Sequence, residues 1–328
     1  MKNHQWRSRA AMLCLLAMTM TMAGGVCAQG NYPSKPVRII VTFAVGGTND
    51  LLARLLAPEM QKDFGQSMIV ENVAGAGGVI GTAAAAKAAS DGHTILMTTN
   101  VYTINAALRQ QLPYDPLRSF VPVTLLTSSP NMLVVKPESP IASVADYLKL
   151  ARAKPGEITY ATSGVGTSPH MAGEQLSMLT GTRYNHIPYA AANQSIQAVI
   201  AGTVLSSWST VFSGLPFFKA GTLKALAVAD ERRSVLAPGI PTFAELGIPG
   251  MRSETWHGMF YPAGVSPAIA SQLNTELMKL LNRADIRDKL LGMGAEPVGL
   301  ELDKFSSRIR EEIETYKKIV VAGSIKPE

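Results

Sequence analysis

Short apolar runs alternate with helical patterns along most of this chain, and the first such unit is the clearest. Val37 to Val41 is rich in β-branched residues, which is typical of a buried strand. The Gly46-Gly47 pair then gives the backbone the freedom to turn. Thr48, Asn49 and Asp50 are all N-cap residue types, the leucines within 51–56 predict one apolar helical face, and Gly65 is a suitable stop. The pattern predicts a strand, a glycine turn and a helix.

The same pattern recurs twice in the next fifty residues. Met68 to Val70 predicts a second strand, followed by the glycine-rich turn Gly75–Gly78 and an alanine-rich helix that ends near Ser90. Thr94 to Met97 predicts a third strand, which delivers Asn100 at its end. Alternating strands and helices predict an α/β fold over a mostly parallel sheet. In such sheets ligands gather at the carboxyl ends of the strands.

In the middle of the chain, the pattern predicts that the backbone crosses from one lobe to the other. Val121 to Val135 is an extended pattern interrupted at Ser128–Pro130, where we expect the crossing. Ser143 then begins a helix, and Ile158 to Ala161 returns as a strand. That strand leads into a second loop rich in glycine and hydroxyl residues, over 162–168, from which another helix starts.

The remaining pattern continues this alternation to the end of the chain. A strand near His186 and a helix to about Ala201 precede strands over 204–209 and 223–228. The segment Trp256–Pro262 is expected to return to the first lobe. Two amphipathic helices follow, and their apolar stripes predict core positions at Ile269, Leu273, Leu277 and Leu280 and at Phe305, Ile309, Ile313 and Tyr316.

The two glycine loops have a shared chemical consequence. A helix start leaves its first N–H groups without intrahelical partners, and the helix dipole adds positive potential there. A carboxylate or phosphate binds readily at such a place. Taken alone, the first loop is better interpreted as an ordinary connecting turn. Two such helix starts on opposite lobes predict a clamp for one small anion.

The N-terminus has the pattern of a secretory signal peptide over residues 1–28. Basic residues precede an apolar segment over 10–22, and small residues lead to a cleavage site near Ala28. The apolar segment is shorter than the roughly 18 residues that a membrane span requires. We therefore expect a soluble, periplasmic mature protein that begins near Gln29, with a retained membrane anchor as the alternative.

Charge and cysteine content restrict the function further. The formal net charge of +6 falls to +3 without the leader, because Lys2, Arg7 and Arg9 leave with it. The remaining basic residues are scattered, which argues against a nucleic-acid partner. Cys14 and Cys27 both lie in the predicted leader, so the mature chain has neither disulfides nor thiolate metal ligands. Stability must come from the apolar core.

Three kinds of enzyme are alternatives to a binding protein without catalytic activity. Ser168 and His170 stand together, but the G-x-S-x-G nucleophile elbow is absent; a secreted hydrolase using Ser168 or Ser163 stays the alternative. A dinucleotide fingerprint over 75–81 fails at Ile80, where a glycine is required. The mature histidines show no metal-ligand spacing, and no HExxH occurs. We predict no catalytic activity, no metal and no cofactor.

Several motifs in order along the chain resemble one family, the periplasmic solute-binding proteins of tripartite tricarboxylate transporters, often called the Bug family. The resemblance covers nearly the whole mature chain. The motifs that carry it are F-A-V-G-G-T-N-D (Phe43–Asp50), E-N-V-A-G-A-G-G-V-I-G (Glu71–Gly81), L-P-Y-D-P (Leu112–Pro116), Y-A-T-S-G-V-G-T-S-P-H (Tyr160–His170), H-I-P-Y-A-A (His186–Ala191), Leu226–Val228 and G-A-E-P-V (Gly294–Val298).

The resemblance implies a type II periplasmic-binding fold, in which two α/β lobes close like a flytrap around a central cleft. We expect lobe 1 over 29–128 and 251–328, and lobe 2 over 129–250. A monomer would carry a small carboxylate to the permease subunits of a membrane transporter, or report it to a membrane signalling protein. By correspondence of motifs, the ligand contacts would be Phe43, Gly46, Gly47, Thr48, Asn49, Asn100, Ser163, Gly164, Thr167, His170, Tyr189, Ala191 and Ser209.

The chain departs from the family pattern within these motifs. Ala44, Val45 and Thr48 replace the usual two prolines and third glycine, and Ala190-Ala191 replaces a Lys-Gly pair. Ser209 stands where relatives commonly have an aspartate that could pair with a ligand amine. Its loss predicts a ligand without a cationic group. Asp50 is expected to brace its helix rather than touch an anion, because like charges in one cleft repel.

Overall fold

The computed structural model describes residues 32–326, so the predicted signal peptide and its cleavage site lie outside the described residues. Lys35 begins a compact unit that runs to the end of the chain. All helices and strands of the described residues lie in this unit. Among those residues, no helix has both the length and the apolar character needed to cross a membrane.

The strands and helices alternate in the predicted manner. The strands of the described residues are β1 (Val37–Val41), β2 (Met68–Asn72), β3 (Thr94–Thr99), β4 (Phe120–Val135), β5 (Thr159–Thr162), β6 (Asn185–Pro188), β7 (Ser206–Thr210), β8 (Lys224–Val228), β9 (Glu254–Pro262) and β10 (Glu296–Pro297). The helices are α1 (Thr48–Phe64), α2 (Val79–Ala86), α3 (Val101–Leu108), α4 (Val144–Ala153), α5 (Ser168–Thr180), α6 (Ala192–Ile200), α7 (Val211–Lys219), α8 (Pro267–Asn282), α9 (Ala284–Gly292) and α10 (Leu302–Gly323).

One long strand, β4, joins the two halves of the sheet. The strand order is β2-β1-β3-β9-β4-β7-β5-β6, with β8 and β10 also paired to β4. Up to Pro130, β4 pairs with β9, and from Asn131 onward it pairs with β7 and β8. The chain thus crosses between the halves at Pro130–Asn131. The exact lobe boundaries stay a prediction.

The sheet is mixed, so the prediction of a mostly parallel sheet was wrong for the molecule as a whole. Pairing is parallel around β1 and β5 at the outer parts of each half. It is antiparallel around β4 and β9, because both of these strands pass through the centre in opposite directions. A two-part sheet with crossing strands requires this reversal, which local patterns do not reveal.

Apolar clusters lie on both faces of each half of the sheet. In the first half, α8 packs on one face through Leu277, and α10 packs on the other through Phe305 and Ile309. In the second half, Trp208 and Val211 belong to clusters on opposite faces. The predicted core stripes of the last two long helices are confirmed, with Ile269 only partly buried.

Three local expectations were wrong, and three helices were not predicted. Leu51 is 43 % exposed, because the buried face of α1 is centred on Leu52 and Leu56. The alanine-rich helix α2 ends at Ala86 rather than near Ser90. Strand β4 continues through Ser128–Pro130, since the proline lies where the partner strands change. Helices α3, α7 and α9 did not stand out from the sequence.

Candidate ligand-binding cleft

A cavity of about 780 Å³ lies at the carboxyl ends of strands from both halves of the sheet. Its wall contains residues that directly follow or end β1, β3, β5 and β7, and each of these strands runs into a helix. Small-molecule sites commonly measure roughly 300–1,000 Å³. The position and size therefore suit a small ligand held between the two halves.

Five helices begin at this cavity, namely α1, α3, α5, α6 and α7. Thr48, Val101, Ser168 and Ala192 are the first residues of four of them and line the wall. In α1, α5 and α6 the N-cap side chain makes no hydrogen bond to the first turn. The first N–H groups of these helices are thus available to a ligand, and their dipoles make the cavity attractive to an anion.

The cavity wall contains polar groups but no ionised side chain. Among the described residues that line it, none is Lys, Arg, Asp or Glu. Burial lowers the pKa of His257 to about 4, so its imidazole is neutral at neutral pH. The Nδ1 atom of His257 lies 3.1 Å from Thr127 Oγ1. An anion would therefore be held by oriented dipoles, hydroxyls and amides rather than by a counter-ion.

The first glycine loop is braced by a buried carboxylate. Asp50 is 1 % exposed, and its Oδ2 accepts a hydrogen bond of 2.8 Å from the N–H of Gly46. Its Oδ1 accepts one of 2.9 Å from Arg54 Nε. Burial acts to raise the pKa of Asp50, but the hydrogen bonds from Arg54 and Gly46 outweigh burial and lower it. The prediction that Asp50 braces its helix is confirmed.

The second glycine loop is held by hydroxyl groups and imidazoles. Gly164 and Gly166 have φ of 117° and 72°, conformations that favour glycine. Thr167 Oγ1 donates to the Gly164 carbonyl at 2.7 Å. The N–H of Gly166 donates to His170 Nδ1 at 3.2 Å, and the His170 ring stacks on His186 with centroids 4.0 Å apart. Two glycines in left-handed conformations let the loop fold tightly over the start of α5.

Asn49 and Asn100 lie on the buried part of the cavity wall, which we call its floor, and hydrogen bonds to neighbouring strands and a helix hold them in place. Asn49 Nδ2 donates to the Met97 carbonyl at 3.0 Å. Asn100 Nδ2 donates to the Glu254 carbonyl at 2.8 Å and lies 3.1 Å from the Tyr316 hydroxyl. Both amides are nearly inaccessible to solvent. Their positions are therefore set by β3, β9 and α10 before any ligand enters.

The rim of the cavity is more apolar than its floor. Leu51 and Pro216 are exposed and Phe217 is half-buried, and all three line the cavity. In contrast, the buried lining residues include Asn100 and Ser209. A ligand with one polar end and a short hydrocarbon segment matches this gradient.

The structure brings most of the predicted site residues to the cavity wall. Those that line it are Phe43, Gly46, Gly47, Thr48, Asn49, Asn100, Ser163, Thr167, Ala191 and Ser209. Whether they touch the ligand stays a prediction.

Three predicted residues do not line the cavity. A Cβ on Gly164 would lie 3.5 Å from the Tyr189 carbonyl, so these two residues meet behind the loop. His170 is 5 % exposed and supports the loop from below through its bond to Gly166. The motif correspondence placed these residues in the right loops, but their side chains or backbone face the interior of the second half.

Sequence reasoning predicted Ser209 of β7 but missed the part of the wall supplied by α7 and the crossing strands. Phe212 and Ser213 lie in the first turn of α7, and the Phe212 N–H donates to Ser129 Oγ at 2.9 Å. Thr210 Oγ1 accepts from the Ser213 N–H at 3.2 Å. This Thr-x-x-Ser spacing is a capping signal, but Gly214 and Pro216 inside the segment obscured the helix. Thr255 and His257, from β9, had no local signal.

The hydroxyl of Ser168 has no imidazole partner among its hydrogen bonds. Its Oγ lies 2.5 Å from Thr255 Oγ1, while Nδ1 of His170 accepts from Gly166. A nucleophilic serine requires an adjacent base. The described residues also hold no group of three or more His, Cys, Asp or Glu placed to bind a metal ion.

A two-part α/β sheet with a cavity suited to an anion at its strand ends is typical of solute-binding proteins of the periplasmic-binding class. The chain belongs to the family described as tripartite tricarboxylate transporter family receptor (TctC), whose model matches residues 52–324. The predicted family and type II fold are confirmed. Because members of this family are receptors and not enzymes, the prediction of a non-enzymatic protein is confirmed as well.

Solved structures of relatives share this architecture over nearly their whole length. Rpa4515 of Rhodopseudomonas palustris, solved with adipate, is 30 % identical with a TM-score of 0.79, covering 90 % of this chain and 100 % of that one. The periplasmic binding protein BugD is 27 % identical with a TM-score of 0.76, covering 90 % and 100 %. MatC from Rhodopseudomonas palustris, solved with malate, is 28 % identical with a TM-score of 0.75, covering 88 % and 100 %.

Proposed function

We propose that this protein is a periplasmic receptor that captures a small carboxylate between its two lobes and delivers it to a tripartite tricarboxylate-type transporter. The observation that carries the proposal is the meeting of five helix N-termini at a cavity whose described lining has no ionised side chain. A carboxylate accepts hydrogen bonds from free N–H groups and is favoured by the helix dipoles. A cation finds no carboxylate partner among the described lining residues.

The gradient from floor to rim supports an organic acid with a short hydrocarbon segment. One carboxylate would lie among the N–H groups and hydroxyls of the floor, with carbon atoms against Leu51 and Phe217 at the rim. Relatives of this chain were solved with adipate and with malate, which are both dicarboxylates. Closure of the lobes would then desolvate the acid and strengthen these contacts.

Ser209 supports a ligand without an amine. It lies on the buried part of the wall, 1 % exposed, and no carboxylate lines the cavity within the described residues. An ammonium group brought into this cavity would face helix N-termini without a counter-ion, which is unfavourable. Simple carboxylates should therefore bind more tightly than aspartate or glutamate.

The direct test is to identify the ligand and measure its binding. The chain from Gln29 onward is purified from the periplasm, and mass spectrometry identifies any acid that copurifies. Calorimetric titration then compares adipate, malate and succinate with glutamate. Saturable binding of one or more simple acids, with weaker or no binding of glutamate, is the expected result. Tight binding of glutamate and no binding of the simple acids would reject the proposed ligand class.

A substitution in the first loop tests whether the cavity is the binding site. A Cβ on Gly47 would lie 3.3 Å from the Ala44 carbonyl oxygen at the cavity wall, so Gly47→Val should displace the loop and weaken acid binding. Gly239→Val is the matched control, because a Cβ there has nothing within 4 Å. If Gly47→Val leaves the affinity unchanged, the loop is only a connecting turn.

Transport and sensing share this receptor and differ in the membrane partner. Membership of a transporter receptor family favours a permease, and we expect the receptor to act as a monomer. Affinity capture of membrane proteins with the acid-loaded receptor distinguishes the two roles. Recovery of a signalling kinase in place of permease subunits would support the sensor.

A further inference from the structure

The two glycine loops share one hydrogen bond in the same place. In α1 the third residue, Asp50, accepts from the N–H of Gly46, and in α5 the third residue, His170, accepts from the N–H of Gly166. Each glycine lies two residues before its helix and has a left-handed φ, 80° in the first loop and 72° in the second. The pairing resembles a capping box, in which the third helical side chain reaches back to the preceding backbone.

The second brace depends on a pair of stacked imidazoles. The rings of His170 and His186 lie 4.0 Å apart with planes 15° from parallel. On its other side His186 stacks on Tyr160, at 5.0 Å between ring centres. This column fixes the orientation of the His170 ring, which points its Nδ1 atom at the loop. Without the stack, a side chain of this length would have several rotamers in place of one.

His186 is tied to the other end of the same loop. Its Nε2 lies 2.7 Å from Thr162 Oγ1, and that oxygen accepts from the N–H of Gly164 at 3.2 Å. The two imidazoles therefore contact the loop at Gly164, through Thr162, and at Gly166. Ser163 and Thr167, the loop residues that line the cavity, are the direct sequence neighbours of Gly164 and Gly166.

The hydrogen bond from Gly166 requires a neutral His170 ring. The Gly166 N–H donates to His170 Nδ1, so that nitrogen must carry a lone pair and not a proton. Burial, with a contribution from the nearby His186, lowers the pKa of His170 to about 3, and burial lowers the pKa of His186 to about 4. Tyr160 faces His186 and donates to Glu174 Oε1 at 2.6 Å.

We propose that His170 and His186 are positioning residues that hold the Ser163–Thr167 loop in its ligand-binding shape, with His170 as the hydrogen-bond acceptor for Gly166. The inference rests on the proposed function only for its effect on affinity. Its effect on loop order is independent of any ligand. His170 then acts on the ligand through the loop and does not touch it.

Two substitutions at position 170 separate the acceptor from the ring. His170→Phe keeps an aromatic ring on His186 but removes the acceptor, whereas His170→Asn keeps an acceptor near the position of Nδ1. Hydrogen exchange of the Gly164–Thr167 amides is measured without ligand, and adipate binding is measured by calorimetry. His93→Phe is the control for an imidazole replaced away from the cavity.

We expect faster exchange in the loop of His170→Phe by roughly tenfold or more, and a smaller increase in His170→Asn, which keeps an acceptor but loses the stack on His186. Adipate affinity should fall roughly 2-fold to 10-fold in His170→Phe, which corresponds to one ordinary hydrogen bond, and fall less in His170→Asn. Unchanged loop exchange in a folded His170→Phe overturns the inference. Equal losses in both variants overturn the role of the acceptor.

Thr162→Val provides a second variant if His170→Phe fails to fold. Valine has nearly the shape of threonine but cannot bond His186 or Gly164, so exchange at Gly164 should rise while the imidazole stack stays in place. Wild-type exchange at Gly164 would contradict the proposal. If wild-type protein does not bind adipate or any other acid, the proposed function fails, and the exchange results still decide the role of the pair.

Discussion

The first and second glycine loops are each held at a helix start by a side-chain acceptor, but the two acceptors are different chemical groups. Both place a helix start at the cavity, and both use the third helical residue to hold a glycine N–H. In the first loop the acceptor is the Asp50 carboxylate, paired with Arg54. In the second loop it is the neutral imidazole of His170, ordered by stacking on His186.

The difference shows how an anion site can be braced without repelling its ligand. A carboxylate suits a helix N-terminus, but near an anion it needs a counter-charge, which Arg54 supplies from the solvent side with half of its side chain exposed. A buried imidazole needs no counter-charge but must be kept neutral and fixed in orientation. Neither solution presents an unpaired charge to the cavity.

The largest effect is expected from placing a charged side chain on the cavity wall. Ser209→Asp puts a carboxylate on the buried wall, and two like charges at about 4 Å repel by roughly 4 kcal/mol at an effective dielectric constant of about 20. Binding of adipate at mildly alkaline pH should weaken by at least roughly 100-fold. Ser209→Asn has nearly the same size without the charge, and equal affinities of the two variants in calorimetry would argue against an anion at this wall.

The first brace is tested by removing its acceptor. Asp50→Ala removes the acceptor of the Gly46 N–H, and a hydrogen bond to a charged group contributes about 1.5–3 kcal/mol of unfolding free energy. Asp50→Asn keeps an acceptor and should lose less than Asp50→Ala in denaturant unfolding. The reverse order would mean that the charge of Asp50, and not its hydrogen bond to Gly46, holds the loop.

The two braces should respond differently to acid. The pKa of Asp50 is lowered, so the first brace is complete above the ordinary value of 3.8 and is lost only as the pH falls through a lower value. The pKa of His170 is about 3 against an ordinary 6.5, so between these values the unfolded chain binds a proton that the folded chain excludes. Stability should therefore fall with pH below 6.5, by up to about 1.4 kcal/mol per pH unit for this histidine.

Comparison with His170→Asn isolates that response. Denaturant midpoints of the wild type and the variant are measured from neutral pH downward, and the wild type should lose stability faster. His186 still titrates in both proteins. Burial raises the pKa of Glu174, which opposes the trend near its ordinary value of 4.5 and cancels in the comparison. Parallel pH curves would show that His170 is accessible to protons in the folded protein.

The smallest effect is expected at Arg54. Its side chain is 49 % exposed, and half-exposed ion pairs contribute about 0–1 kcal/mol. Arg54→Gln should reduce the free energy of unfolding by less than Asp50→Ala does. A larger loss would show that the Asp50 charge cannot stay in its buried position without this partner.

Local patterns were sufficient for the parts of the fold that depend on neighbours in sequence. Strand β1 and the end of α1 at Gly65 follow from a β-branched run and a glycine. The start of α1 was predicted only approximately, because Gly47 is its N-cap and Thr48, Asn49 and Asp50 already lie in its first turn. The loop before α5 was predicted on the same grounds. Helix α7 was not, because Gly214 and Pro216 disfavour a helix locally. Gly214 lies close to β4 in the folded protein, since a Cβ there would be 2.8 Å from Met132 Cε.

The sequence by itself therefore determined the glycine loops that precede α1 and α5, because turns and caps are encoded within a few residues. Only the tertiary structure decided which side of each loop faces the cavity. His170 and Tyr189 turn inward, while Leu51 reaches the rim, because burial against β6 and the framework of the first half sets these orientations. The neutrality of the site is likewise a tertiary property, since the pairing of Asp50 and the desolvation of His170 arise from packing.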